Sequence, residues 1–338
     1  MNPQTTRKHQ YRLAGFTCLL AFCVVLMGAY VRLSDAGLGC PDWPGCYGKL
    51  VVPQSAKMAS SPDSVYANPL HRGKAWKEMI HRYLAGTLGL LILVQALTAW
   101  RNHRDPEQPL WLPNLLLGLV VLQGALGMWT VTLLVKPAIV TTHLLGGFAT
   151  FVLLLLLALR LRPRPVLATL SITPGLRRLI LFGLLVLVLQ ITLGGWTSSN
   201  YAALGCSDFP RCYADQWWPA MDFKEAFTLW RGLGINYEFG VLENDARSAI
   251  HMTHRIGALA TLLVIGWLAW RLIIQTAVPP LRRLGGLLLL LLATQITLGI
   301  TNVLAHLPLP VAVGHNGIAA LLLATLATLT WLGLRDER

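Results

Sequence analysis

Glu78-Met79-Ile80-His81-Arg82 and His251-Met252-Thr253-His254-Arg255 are the two stretches on which the reading of this 338-residue chain turns. Each ends in His-Arg and leads into a long apolar run. His143 follows His81 by 62 residues, and His315 follows His254 by 61, each near the start of a further apolar run. The same pair of histidines is therefore set twice. The repetition spreads outward from them. Leu38-Gly-Cys40-Pro-Asp-Trp-Pro-Gly-Cys46-Tyr47 matches Leu204-Gly-Cys206-Ser-Asp-Phe-Pro-Arg-Cys212-Tyr213 at an offset of 166. Gln123-Gly-Ala-Leu-Gly127 matches Gln295-Ile-Thr-Leu-Gly299 at 172, while His81 to His254 is 173, so the segment between cysteines and histidine is seven residues longer in the second copy. Self-similarity of this length marks a duplicated unit.

The composition says where such a unit lives. The chain is 54% hydrophobic and only 13% charged, against about 25% charged in soluble domains. The apolar runs are Ala14–Val31, Tyr83–Trp100, Trp111–Val135, Pro137–Leu159, Leu179–Ser199, Ile256–Trp270, Leu284–Ala305 and Leu307–Leu334, with the sixth lengthened by Ser248–Arg255. At about 1.5 Å per residue each can cross about 30 Å of hydrocarbon. Lipid offers no partner to a bare backbone, so the spans must be helices. The expected fold is an all-α polytopic membrane protein. Its eight transmembrane helices form two tandem four-helix bundles, residues 1–160 and 179–338, joined by a Pro/Arg linker over 161–178. Four spans per half is an even number, so the halves run the same way, related by a pseudo-two-fold along the membrane normal.

Basic residues set the orientation. With the N-terminus inside, segments 1–12, 101–110, 160–178, 271–283 and 335–338 hold 15 Lys+Arg against 4 acids. The positive-inside rule then puts both termini in the cytoplasm and the large loops, about 34–75 and 200–247, outside. The net charge of +13 is mostly this signal, scattered over short segments, and nucleic-acid binding is excluded as its reading. The first apolar run is too long for a signal-peptide core and reads as an uncleaved helix. Within the second large loop, Asp222–Phe239 reads as an amphipathic helix at the interface.

A lone membrane histidine is commonly a clamp between helices. Four of them, paired and at matched depth in both copies, point instead to axial ligation of two haem irons, with the macrocycles held inside four-helix bundles. His81 and His143 make one pair, His254 and His315 the other. His9, His71, His103 and His306 lack such pairing and read as ordinary loop or helix-end residues. Arg82 and Arg255 each follow a ligand and carry two readings, a fork for a haem propionate or a snorkelling helix-end cation. Glu78 lies three residues before His81, on the same side of a helix. Its counterpart in the second copy is His251. Either this carboxylate does chemistry beside the first haem or it is an interfacial acid neutralised by Arg82 or Lys77. Cys18 and Cys23 read as small apolar residues. Cys40/Cys46 and Cys206/Cys212, outside in an oxidising compartment, read as disulfides; a redox-active first pair stays open. The Gln-x-x-Leu-Gly segments, also present at Gln190–Gly194, read as helix packing or as a border to the ring.

On these residues the chain resembles the haem A synthase family. The match rests on Glu-Met-Ile-His-Arg at 78–82, His143, Cys40 and Cys46, and the second pair at His254 and His315. It covers almost the whole chain. The resemblance implies an eight-helix oxidoreductase that oxidises the C8 methyl of haem O to the formyl group of haem A for cytochrome oxidase assembly. It proceeds by successive hydroxylations to a geminal diol that loses water. It implies substrate haem between His81 and His143, a retained haem b between His254 and His315, and Glu78 as the essential glutamate. Implied partners are the lipid bilayer, a haem O synthase as supplier and oxidase assembly factors, and a homo-oligomer is compatible with it. The rival reading is a non-catalytic dihaem b-type electron carrier. Such carriers place ligands in pairs on the same helices to bring a haem near each membrane face, and that spacing is absent here.

Overall fold

The computed structural model describes residues 3–54, 69–162 and 172–335. Eight long helices account for most of them: α1 Pro3–Leu33, α2 Arg72–Arg101, α3 Trp111–Thr132, α4 Pro137–Leu161, α5 Pro174–Ser199, α6 Asn244–Ile274, α7 Pro279–Leu304 and α8 Leu309–Arg335. All eight are long and apolar enough to cross a membrane. Among the described residues there is no strand; the only β pairing is an isolated bridge between Cys46 and Lys49. This is a multi-pass membrane protein. Most of the expected linker lies outside the described residues, though α5 begins at Pro174, five residues before its apolar run, with the Thr173 hydroxyl accepting from Leu176 N–H as an N-cap.

Neighbouring helices close two cycles. In the first half α1 packs on α2, α2 on α3, α3 on α4 and α4 on α1. The second half repeats this with α5, α6, α7 and α8. The halves meet where α1 touches α8, α4 touches α5 and α4 touches α8. One apolar core runs through both, including Leu116, Phe148 and Leu154 from the first half and Ile180, Ile265 and Leu322 from the second.

The duplication extends to the backbone. The turn after α3 carries Leu134 and Val135 at positive φ, and the turn after α7 carries His306 and Leu307 likewise, at the same offset of 172. Val135 N–H bonds Thr130 O at 2.7 Å, and Leu307 N–H bonds Asn302 O at 2.8 Å. Asp35 after α1 and Tyr201 after α5 are the same position, both at positive φ, and they touch: the Tyr201 hydroxyl donates to Asp35 Oδ1 at 3.1 Å. Arg32 bonds the carbonyl of its own counterpart, Ser198, at 2.6 Å.

Two helices start earlier than hydropathy suggests. α2 begins at Arg72, inside the expected outer loop of about 34–75, and α6 at Asn244, four residues before Ser248. These first turns are polar on one side and buried on the other by the disulfide loops. Ala75 and Met79 pack with Cys40, Cys46, Tyr47 and Val52; Met252 packs with Cys206 and Cys212. The loops come this close because each crosses the helix at a glycine. A Cβ on Gly39 would lie 2.6 Å from the Lys74 carbonyl carbon, and one on Gly205 2.5 Å from that of Arg247. Backbone on both sides leaves nothing to give way. Gly39→Ala should therefore destabilise the protein by about 1–3 kcal/mol, the usual range for overpacking. Gly73→Ala, on α2 with open space around its Cβ, should be neutral or stabilise by a few tenths of a kcal/mol up to about 1. Thermal unfolding in detergent of the two variants checks the contrast.

The expected amphipathic helix over Asp222–Phe239 is not formed. Only Phe223–Ala226 is helical, capped by the Asp222 carboxylate accepting from Glu225 N–H at 2.9 Å. The rest is drawn out across the first half. Lys136, buried at the start of α4, donates to Gly232 O and stacks its ammonium 3.4 Å from the Trp230 ring centre. Tyr237 N–H donates to Leu134 O at 3.1 Å, and Glu238 lies 3.8 Å from Lys74. Those bonds to another element replace the helical ones.

Candidate functional site: paired imidazoles beneath two disulfide loops

His81 is the tenth residue of α2 and His254 the eleventh of α6; His143 and His315 are each the seventh residue of α4 and α8. α2 and α4 stand diagonally in the first cycle, as do α6 and α8 in the second, so each pair looks across a bundle at one end of the molecule. His81 lies within electrostatic range of His143, and His254 within range of His315. All four rings are half-buried.

Each ring rests on a glycine of an adjacent helix. A Cβ on Gly28 of α1 would stand 3.1 Å from His81 Cε1; Gly194 of α5 stands likewise 3.3 Å from His254 Cε1. Gly127 of α3 and Gly299 of α7 meet His143 and His315 at 3.6 and 3.1 Å. Three of these glycines belong to the Gln-x-x-Leu-Gly segments, which therefore pack against the imidazoles. Gly28 carries no such motif; only its offset of 166 from Gly194 could have found it.

The sites differ in their polar partners. His81 Nδ1 and His143 Nδ1 are buried without a hydrogen bond. In the second half Gln190 Nε2 stands 3.1 Å from His254 Nδ1, and His315 Nδ1 lies 3.1 Å from the Gln295 carbonyl. Among the described residues no group of three or more His, Cys, Asp or Glu side chains could hold a metal ion. Two imidazoles are too few for an ordinary metal shell, but they suffice when a porphyrin provides the equatorial nitrogens. Imidazole nitrogens left without partners in the interior, and helix faces pared to glycine beside each ring, fit that group.

Above each pair the disulfide loop is tied down identically. The structure forms Cys40–Cys46 and Cys206–Cys212. Glu78, 4% exposed, accepts from Cys40 N–H at 2.8 Å with one carboxylate oxygen and from Arg82 with the other. His251, also 4% exposed, faces the same two donors: Cys206 N–H is 3.1 Å from Nδ1 and Arg255 Nε 3.2 Å from Nε2. A neutral imidazole can accept only one of them at a time. The arginines close the arrangement. Arg82 donates to Asp42 O at 2.8 Å and Arg255 to Asp208 O at 2.6 Å and Arg211 O at 3.0 Å. The guanidinium of each is thus engaged with its loop, which neither sequence reading of Arg82 and Arg255 foresaw. Non-reducing alkylation followed by mass spectrometry should find all four loop cysteines protected and only Cys18 and Cys23 reactive once unfolded. Free thiols at 40, 46, 206 and 212 would contradict the loop geometry.

Eight apolar helices with an imidazole pair in each half define a duplicated multi-pass membrane protein. The chain belongs to the COX15-CtaA family of cytochrome oxidase assembly proteins, whose model matches residues 11–327. It is 48% identical over 320 residues to a protein of Shewanella oneidensis named Heme A synthase, covering 94% of this chain and 95% of that one. Proteins of the same name from Rhizorhabdus wittichii and Chelativorans sp. are 26% and 27% identical, over 93% of this chain and 90% and 88% of theirs.

Proposed function

We propose that this protein converts haem O to haem A, with residues 1–160 as the substrate half, 161–178 as a cytoplasmic linker and 179–338 as the half that retains a haem b. The observation that carries the reading is the twofold occurrence of an imidazole pair on diagonal helices, each ring against a glycine. His81 and His143 hold the substrate haem; His254 and His315 hold haem b. The bound iron supplies the redox chemistry. The chain's own residues bind and orient: four helices exclude water from the ring, and the isoprenoid tail of haem O enters through lipid. Glu78, one turn before His81, supplies a carboxylate that stabilises positive charge developing at the reacting carbon or takes a proton from attacking water. Arg82 and Arg255 stand at the rim beside the ligands, where propionates end, and we assign them that contact in addition to their loop bonds.

Both termini lie in the cytoplasm of a bacterial inner membrane, and the disulfide loops lie outside. The excess of basic residues in the short inner segments supports this. The pseudo-two-fold runs along the membrane normal; the contacts of Arg32 and Asp35 with their own counterparts support it, since such pairs meet only beside an axis. Haem O synthase delivers the substrate and oxidase assembly factors receive the product. Expression in cells that make haem O, followed by pigment extraction and chromatography, tests the activity. A haem A peak dependent on the chain is expected. Stably bound haem with no conversion of haem O would favour the electron carrier instead.

A further inference from the structure

The two halves treat their ligand rings differently, and the residues responsible come in matched pairs. Gln190 of α5 sends its amide nitrogen to the His254 carbonyl at 3.0 Å and to Nδ1 of the same ring at 3.1 Å. It reaches them across Gly257, where a Cβ would lie 2.2 Å from Gln190 Oε1. In the first half the counterparts of Gln190 and Gly257 are Val24 and Leu84. Neither can bond an imidazole, and Leu84 carries a side chain where Gly257 has none. The second pair of positions diverges too. Gln123 and Gln295 are equivalent, but a Cβ at Gly146 would lie 1.8 Å from Gln123 Nε2, so the Gln123 amide occupies the Gly146 recess. The counterpart of Gly146 is Ile318, and the Gln295 amide stands instead 3.2 Å from His315 Nε2.

We infer that Gln190 is a positioning residue that fixes the His254 ring, and that exchange of Gln190 and Gly257 for Val24 and Leu84 makes the second site retain its haem and the first release its own. The inference rests on the proposed haem sites. Gln190 suits the role because an amide carries both a donor and an acceptor. It donates to Nδ1 of a ring protonated at Nε2. A half-turn of the amide would let its Oε1, buried and without a partner, accept from Nδ1–H of a ring whose Nε2 is free to hold iron, at the cost of the bond that Gln190 Nε2 now gives to the His254 carbonyl. A hydrogen bond at the distal nitrogen fixes the ring and raises its basicity. His315 obtains the same bond from the Gln295 main-chain carbonyl, which no substitution removes. The Gln295 side chain, at the nitrogen that would meet iron, competes with the metal rather than supporting it. His81 and His143 have neither arrangement.

The test uses the full-length protein, purified with its haems, and follows haem loss to excess apomyoglobin together with the reduction potential of the retained haem. Gln190→Met, close in shape but unable to hydrogen-bond, should speed loss of haem b by about 10–100-fold, the usual effect of removing such a partner. It should also raise the potential, while the gel-filtration profile stays that of the parent. Gln295→Met should not speed the loss. Val24→Gln combined with Leu84→Gly should slow release of haem O and haem A, which chromatography separates from haem b. Loss of haem b from a folded Gln190→Met at the parental rate overturns the inference. If that variant does not fold, an unchanged first-half release rate in Val24→Gln/Leu84→Gly overturns it. A parent protein whose haem b survives His254→Ala would instead overturn the ligand assignment beneath it, and the inference with it.

Discussion

His254→Ala and His315→Ala should each abolish the retained b-type haem and lower the stability of the second bundle, while leaving the first half able to bind substrate. In the proposed site each ring would hold the haem iron, and the residues packed against it cannot take its place. Gly194 and Gly299 offer no side chain, and an alanine at 254 or 315 leaves the iron one ligand short. A cofactor that binds only the folded state adds RT ln(1 + [L]/Kd), about 4 kcal/mol at a thousandfold excess over Kd. Much of that should vanish with the haem, because the rings sit where α6 and α8 are joined to α5 and α7. The optical spectrum after reduction reads the cofactor, and thermal unfolding with and without added haem reads the linkage. Unchanged low-spin haem content in both variants would sink the ligand assignment. His9→Ala and His103→Ala, away from both pairs, should leave spectrum and stability alone.

How much of this could be read from sequence depended on whether one helix or two carried the signal. The eight spans were legible because lipid demands long uniform apolar runs, and all eight are present. The first turns of α2 and α6, residues 72–75 and 244–247, were not. Arg72 and Lys74 look like a loop to a hydropathy reading, yet Ala75, with Glu78 and Met79, forms the buried side of a helix covered by Cys40, Cys46 and Tyr47. The cover comes from another segment, so the burial is invisible locally. The histidine pairs stood out because the duplication prints each twice. Gly127, Gly194 and Gly299 beneath them stood out only as members of the Gln-x-x-Leu-Gly segments and Gly28 not at all, since a glycine's value lies in what approaches it from a different helix. The same reason hid the pairing of Gln190 with Gly257, which is a property of two helices. Asp222–Phe239 misled in the opposite direction: its helical pattern lost to Lys136 and Leu134, partners from the other half. Glu78 was legible as an asymmetry, but the bonds it makes became visible only with the Cys40 loop in place.

Glu78→Gln should bind substrate haem through His81 and His143 yet make little haem A, with production down about 10²–10⁴-fold, the range for loss of one acid–base or electrostatic group. The repeat supplies the control. Glu78 and His251 stand at the same place, each facing the N–H of the first loop cysteine and the arginine four residues on, but the carboxylate accepts from both while the ring can accept from only one at a time. The second half manages with a neutral ring that has one lone pair to offer. Tying down a disulfide loop therefore does not require a carboxylate, and a buried carboxylate at Glu78, paired with Arg82 though it is, calls for another use. Glu78→His makes the distinction sharp, because it installs the residue already found at the equivalent place. It should keep the Cys40–Cys46 loop, the fold and haem binding, and lose haem A formation as fully as Glu78→Gln. A partly oxidised alcohol accumulating in either variant would mean that the carboxylate serves the later hydroxylation more than the first. Near-parental haem A from both would mean that the charge is not needed. Glu78 would then be only the anchor of the Arg82–Cys40 loop, and the difference between the halves would lie in how tightly each holds its ligand rings.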